Sequence, residues 1–260
     1  MRCVPDLNVA IQHVHSRAEN LSNTPGGPSA WRRGLRAAVD ALLPQRCCIC
    51  GREQGGAPVC PECAADLPHV RSGRCSVCAQ PLPGGGVCGQ CLKRPPAFDA
   101  SQAVFDYRFP LDGLVQGLKY HQRFSLAGFF AEEMVAAMFP REVDLILPMP
   151  LHRSRLAERG FNQAVEIARP LARLAGVPLA LDGALRLRAT PKLEGLSRQE
   201  RRATLRGAFA CGRDLAGARV AVVDDVMTSG ATLDELARCL KRSGASRVEN
   251  LVVARTPPPG

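Results

Sequence analysis

The sequence is poor in lysine and has no long apolar run, and its first residues lack the apolar core of a secretory signal. No stretch approaches the ~18 consecutive apolar residues of a membrane-spanning helix. The first 24 residues carry His, Asn, Asp and Glu instead of an apolar segment, so the chain is expected to be cytoplasmic. Lys93, Lys119, Lys192 and Lys241 are the only lysines among 34 cationic side chains, so the net charge of +10 belongs to arginine. Such a charge attracts phosphate groups, free or in nucleic acid. Richness in Ala, Arg and Gly together is also what a biased genome composition produces. The 260 residues are 46% hydrophobic, enough to build the core of one or two domains.

Cysteine is abundant for a chain expected in a reducing compartment. Nine of the 12 cysteines fall between Cys47 and Cys91. Cys47-x2-Cys50 is followed by Cys60-x2-Cys63, and each of these recurs 28 residues later as Cys75, Cys78, Cys88 and Cys91. The connecting loops are equal in length and contain glycine. This is an internal repeat, and its spacing is that of a zinc ribbon, in which two C-x2-C turns supply four thiolates to one tetrahedral Zn²⁺. Two ribbons, each using its own four cysteines, are expected; interleaved use or a single occupied site are the alternatives. Cys48 breaks the repeat register and is a spare thiol. A full thiolate shell leaves no open position for chemistry at the metal, so the zinc is expected to be structural, with partner binding as the second role. Ahead of the ribbons, residues 31–43 read as a short helix ended by Pro44, and residues 1–30 read as disordered.

Pro95-Pro96 marks a boundary. After it, strand and helix signals alternate: strands at 103–107, 143–147, 219–223 and 248–254, and helices at 111–120, 125–138, 162–175 and 232–243. Gly176 reads as a C-cap, and Pro170 should kink or split its helix. Residues 179–187 read as extended. Residues 189–206 are polar and without periodicity, a loop long enough to be functional. The pattern predicts an α/β fold, with a parallel sheet covered on both faces. The expected division is 1–30, a helix with double ribbon at 31–94, and an α/β domain at 98–256.

The most telling segment is Val220-Ala-Val-Val-Asp-Asp-Val-Met-Thr-Ser-Gly-Ala-Thr232. A buried strand delivers Asp224 and Asp225 to the carboxyl-end rim of the sheet, where ligands of such folds bind. Thr228, Ser229, Gly230, Ala231 and Thr232 then form a small-residue turn into a helix. Backbone N–H groups, hydroxyls and the helix dipole there suit a phosphate. Adjacent carboxylates repel phosphate and accept hydrogen bonds from a diol. Diol and phosphate together describe a ribose 5-phosphate. Any one of these features alone would describe an ordinary helix cap.

This segment resembles the phosphoribosyl-pyrophosphate motif of type I phosphoribosyltransferases. The stretch from Leu147 to Gln163, the Leu118-Lys119-Tyr120 triplet and the Gly207-Ala-Phe209 segment further resemble the competence protein F (ComF) family, which also carries a cysteine-rich ribbon. The resemblance runs from about Trp31 to Thr256. It implies that Asp224 and Asp225 hold the ribose hydroxyls and stabilise charge on the reacting sugar. It implies that the 228–232 loop holds the 5-phosphate, and that His152, Arg153 and Arg155 face the pyrophosphate. Residues 188–206 resemble a closing lid in which Arg198, and more strongly Arg201 and Arg202, meet pyrophosphate. Lys192 and Thr204 depart from the family pattern, where Gln and Asn are common. Mg²⁺ is the implied cofactor beside zinc. Three functions are compatible: transfer of a phosphoribosyl group to an unread acceptor, sensing of phosphoribosyl pyrophosphate without turnover, and an adapter for single-stranded DNA or DNA-uptake proteins in natural competence.

Overall fold

The computed structural model describes residues 45–70, 73–138, 142–189 and 198–258. The expected helix at 31–43, the N-terminal segment and the first part of the lid, Lys192 included, lie outside the described residues. Residues 45–260 form one compact unit.

Each ribbon is a two-turn hairpin closed by a one-turn helix. In the first, β1 (Gln45–Arg46) pairs antiparallel with β2 (Glu53–Gln54), and α1 (Pro61–Ala65) follows. In the second, α2 (Gly89–Lys93) takes the same place. A four-stranded sheet follows, with β3 (Ala100–Asp106), β4 (Leu145–Pro148), β7 (Arg219–Met227) and β8 (Arg247–Arg255) in the order β3-β8-β7-β4. Every pairing in it is parallel, as expected. The central position of β7 and β8 follows from their apolar, β-branched runs, which only a strand buried on both faces accommodates.

Alternation along these strands sorts the core into two layers. Ala221, Val223, Leu251 and Val253 face a layer built by α3 (Leu111–Tyr120), α4 (Ser125–Met138) and α6 (Gln163–Ala175). Val220, Val222, Val248 and Val252 face the other layer, filled by Leu233, Leu236 and Leu240 of α8 (Ala231–Arg242). The ribbons divide between these layers. Cys47, Val59, Cys60 and Leu67 join the first, while Val77 and Cys78 pack on the second. Between them the chain runs along the free edge of β3: Val70 N–H donates to Val104 O, and Asp106 N–H to Pro68 O, both at 2.8 Å. The ribbons thus straddle the edge strand.

One expectation is narrowed and one is corrected. Pro170 does not split α6, which runs unbroken from Asn162, its N-cap, to Gly176, its C-cap at φ 68°. Burial of Ala164, Ile167, Ala168, Leu171 and Ala172 along one face outweighs the ~3 kcal/mol that an internal proline costs. The polar stretch at 189–206 is not all loop: Arg198–Leu205 forms α7. Its Arg, Glu, Gln and Ala residues favour helix by propensity, and Leu205 anchors it in the core. The 179–187 stretch is extended at its ends, as a bridge from Leu179 to Ile146 and as β5 (Leu185–Arg186). β5 pairs with β6 (Phe209–Ala210). The turn to α5 (Arg153–Arg159) completes the rim above β4.

Candidate metal and phosphate sites

The cysteines assemble into the two sequential sets, Cys47/Cys50/Cys60/Cys63 and Cys75/Cys78/Cys88/Cys91, with all Sγ atoms of a set within 4.8 Å of one another. Sulfurs bound at ~2.3 Å to a tetrahedral ion lie about 3.8 Å apart. Cys50 and Cys60 stand 3.8 Å apart, and Cys78 and Cys88 3.7 Å. The donor sets therefore fit Zn²⁺. The repeat is faithful to the backbone. Cys60 N–H points at Cys47 Sγ at 3.4 Å, and Cys88 N–H at Cys75 Sγ at 3.3 Å. Gly51 and Ala79 take the same left-handed turn, at φ 74° and 55°. Burial pushes the Cys47 thiol up, yet the backbone N–H groups of Cys50, Cys60 and Ile49 outweigh it and bring it down to about 6. Other thiols move the other way: in the same set the Cys60 contact and burial push Cys63 up to about 12, and in the second set burial pushes Cys91 up. Four thiolates this close repel one another, and a divalent cation removes that conflict. Cys48 stands outside both sets, packed against the core.

At the sheet rim β7 continues past its expected end, so Asp224 and Asp225 are strand residues. Asp225 is buried, its Oδ1 accepting from Val226 N–H at 2.7 Å and its Oδ2 lying 2.6 Å from Lys119 Nζ. Burial alone would lower the Lys119 pKa, but the carboxylate of Asp225 outweighs it and raises it. Asp224 accepts from Asp225 N–H at 2.9 Å, and burial, then the charge of Asp225, holds its carboxyl well above the usual range.

The loop follows as expected. Gly230 takes φ 76° as N-cap of α8, which begins one residue earlier than predicted, so Ala231 and Thr232 lie in its first turn. Ser229 Oγ accepts from Ala231 N–H at 3.4 Å, and Thr228 is exposed. A Cβ on Gly230 would meet Met227 Cε at 2.6 Å and the Phe98 ring at 3.7 Å.

On the neighbouring strand, Met149 N–H donates to Val223 O at 2.8 Å, which fixes the turn into α5 beside Asp224. His152 caps α5, its Nδ1 accepting from Ser154 N–H at 3.2 Å, so one imidazole nitrogen is already engaged. Arg153 is exposed and Arg155 half-buried. Two residues were missed by sequence reasoning. Lys119 appeared only as part of a triplet without a role. Arg186, from β5, is close enough to Asp224 and Arg155 to feel both: burial lowers its pKa, Asp224 opposes this, and Arg155 adds to it. Its one sequence signal is the alternation of Leu and Arg at 185–188. Arg201 and Arg202 lie on α7, which packs beside α8; their side chains lie outside the description.

Comparison with known proteins covers both halves. A double zinc ribbon domain model matches residues 38–92, and a phosphoribosyl transferase domain model matches residues 158–258. The DNA utilization protein YhgH of Salmonella typhimurium is 33% identical over 218 residues, 81% of this chain and 90% of the relative. The competence protein F of Haemophilus influenzae is 28% identical, over 86% of this chain and 94% of the relative. The competence protein ComFC of Bacillus subtilis is 24% identical, over 85% and 82%. No helix among the described residues is long and apolar enough to cross a membrane.

Proposed function

The chain belongs to the competence protein F family, a double zinc ribbon joined to a phosphoribosyltransferase-type domain, and from that premise we propose that it binds phosphoribosyl pyrophosphate with Mg²⁺ and transfers the phosphoribosyl group to an acceptor. The observation that carries this reading is the rim of β7. A half-buried Asp224 and a buried Asp225 ion-paired with Lys119 run directly into a glycine-capped helix start.

Asp224 and Asp225 accept hydrogen bonds from the ribose hydroxyls. The N–H groups at the start of α8, with the Thr228, Ser229 and Thr232 hydroxyls, hold the 5-phosphate, and the helix dipole adds to the attraction. Arg155 and Arg186 draw the pyrophosphate toward the anomeric carbon, with Arg153 at the solvent side; His152 contributes its remaining ring nitrogen. Arg201 and Arg202 close over it from α7. Pyrophosphate departs with the C1–O electron pair, the acceptor forms the new bond to C1, and the acceptor's proton is lost. Positive charge on the sugar is stabilised by the carboxyl pair. Asp224 and Asp225 would be the protein's share of a Mg²⁺ site otherwise made by substrate oxygens, and the ion would supply charge neutralisation on the leaving group.

A second reading, an adapter for single-stranded DNA, draws support from the relatives' names and from one surface. Tyr120 and Phe124 are exposed, and the Arg159 guanidinium lies 5.3 Å from the Tyr120 ring centre. Aromatic rings interleaved with Arg suit stacked bases.

Calorimetric titration with phosphoribosyl pyrophosphate and MgCl2 tests the first reading. Wild type is expected to bind, and Asp225→Ala to lose about tenfold or more in affinity, as the loss of charged hydrogen bonds implies. Absence of heat in wild type sinks it. Binding without pyrophosphate release in the presence of candidate acceptors points to sensing, and tight oligodeoxynucleotide binding with no ligand heat points to the adapter.

A further inference from the structure

The second ribbon reaches the phosphate loop through one side chain. Arg255 ends β8 and is buried, with 1% of its surface exposed. Its Nε donates to Cys78 O at 2.9 Å, and its Nη1 donates to Met227 O at 2.8 Å, to Thr256 O at 2.9 Å and to Thr228 O. Cys78 is one of the four clustered thiols of the second ribbon. Met227 is the last residue of β7, and Thr228 opens the loop. A planar guanidinium is a rigid fork. It therefore fixes the backbone of a metal-ligand residue relative to the backbone of the loop.

Other contacts join the same two parts. Ala97 N–H donates to Asp234 Oδ1 in the first turn of α8 at 2.7 Å. Phe98 and Gly230 line one cleft, and a Cβ added at Gly230 would come within 3.7 Å of the Phe98 ring. Gln80 Nε2 donates to Thr256 O at 3.3 Å. A cleft of about 160 Å³ lies between ribbon and loop, lined among others by Cys78, Cys91, Arg94, Ser229 and Gly230. The first ribbon packs on the opposite layer, through Cys47, Val59 and Cys60.

The geometry points to Arg255 as a positioning residue that couples the second cysteine cluster to the phosphate loop. Metal in the Cys75/Cys78/Cys88/Cys91 site and an anion in the 228–232 loop are then linked, while metal in the first site acts on the other layer. Linkage is reciprocal: the ligand that orders the loop tightens metal in the second site. The identity of that ligand rests on the reading above; the coupling does not.

The test uses the full zinc-loaded chain and hydrogen exchange, which reads loop order with no ligand present. Cys88→Ser and Arg255→Gln are expected to speed exchange of the amides at 227–232 by about tenfold, through easier local opening of the loop. Cys60→Ser is expected to loosen residues 46–66 instead. Arg255→Lys keeps the charge and loses the fork, so it is expected to behave as Arg255→Gln does and serves alone where that variant fails to fold. Equal loop exchange in the Cys60 and Cys88 variants overturns the proposal, as does wild-type exchange in the folded Arg255 variants. Titration with phosphoribosyl pyrophosphate separates the two readings. Absence of binding by wild type with the exchange pattern intact removes the ligand assignment and leaves the coupling. Binding to wild type and Arg255→Lys with equal affinity removes the coupling and leaves the ligand.

Discussion

Asp224 holds a carboxyl group against the preference of its surroundings. Burial and the neighbouring Asp225 raise its pKa in the folded chain above the unfolded value of ~3.9. A group shifted this way leaves folding stability intact below the unfolded pKa and removes it as pH rises toward the folded one. Asp224→Asn, which keeps an oxygen to accept from Asp225 N–H, is therefore expected to stabilise the protein at pH 8 by about 0.5–2 kcal/mol while weakening ligand binding. Urea unfolding at pH 5 and pH 8 checks this: the gain shrinks toward pH 4, and a gain independent of pH contradicts the assignment. The carboxyl pair itself was legible in the sequence, because two acidic residues between an apolar strand and a small-residue turn have few other uses. Lys119 and Arg186 were not. They come from remote elements, and only the fold brings their charges to Asp224 and Asp225.

Among elements, α8 was read nearly whole, because the small-residue turn that opens it and its apolar stripe agree. Its start moved by one residue because Gly230, not Ala231, takes the left-handed conformation. Gly230→Ala is expected to cost about 1–2 kcal/mol from the backbone alone, with further strain where the new methyl meets Met227. A thermal melt several degrees lower, with weaker phosphate ligand binding, is the expected result; an unchanged melting temperature would argue against the cap. The helix at 198–205, which was read as loop, and the unbroken passage of α6 through Pro170 share one cause. α6 and α7 owe their continuity to tertiary burial, of one apolar face in α6 and of Leu205 in α7, and local rules about proline and polar runs take no account of that.

For the molecule as a whole, the repeat spacing gave the two cysteine sets, but nothing in the spacing told where they would sit. The sequence suggested a small ribbon module ending near residue 94. In the fold the ribbons supply Cys47, Val59, Cys60 and Leu67 to one core layer and pack Val77 and Cys78 on the other. Removal of zinc by a chelator is accordingly expected to lower a single calorimetric transition of the entire chain. Two transitions, with the second unmoved by chelation, would restore a separate ribbon domain. The edge strand they straddle has a further consequence during synthesis. β3 pairs with β8 along residues 249–255, about 150 residues further along the chain. Parallel partners so distant in sequence come together slowly and leave apolar edges exposed meanwhile. The segment at 68–70, already made and anchored by metal on either side, can cover the far edge of β3 from the moment that strand emerges from the ribosome. The two ribbons then act as a resident guard for the nascent sheet, shielding its first strand until its last arrives.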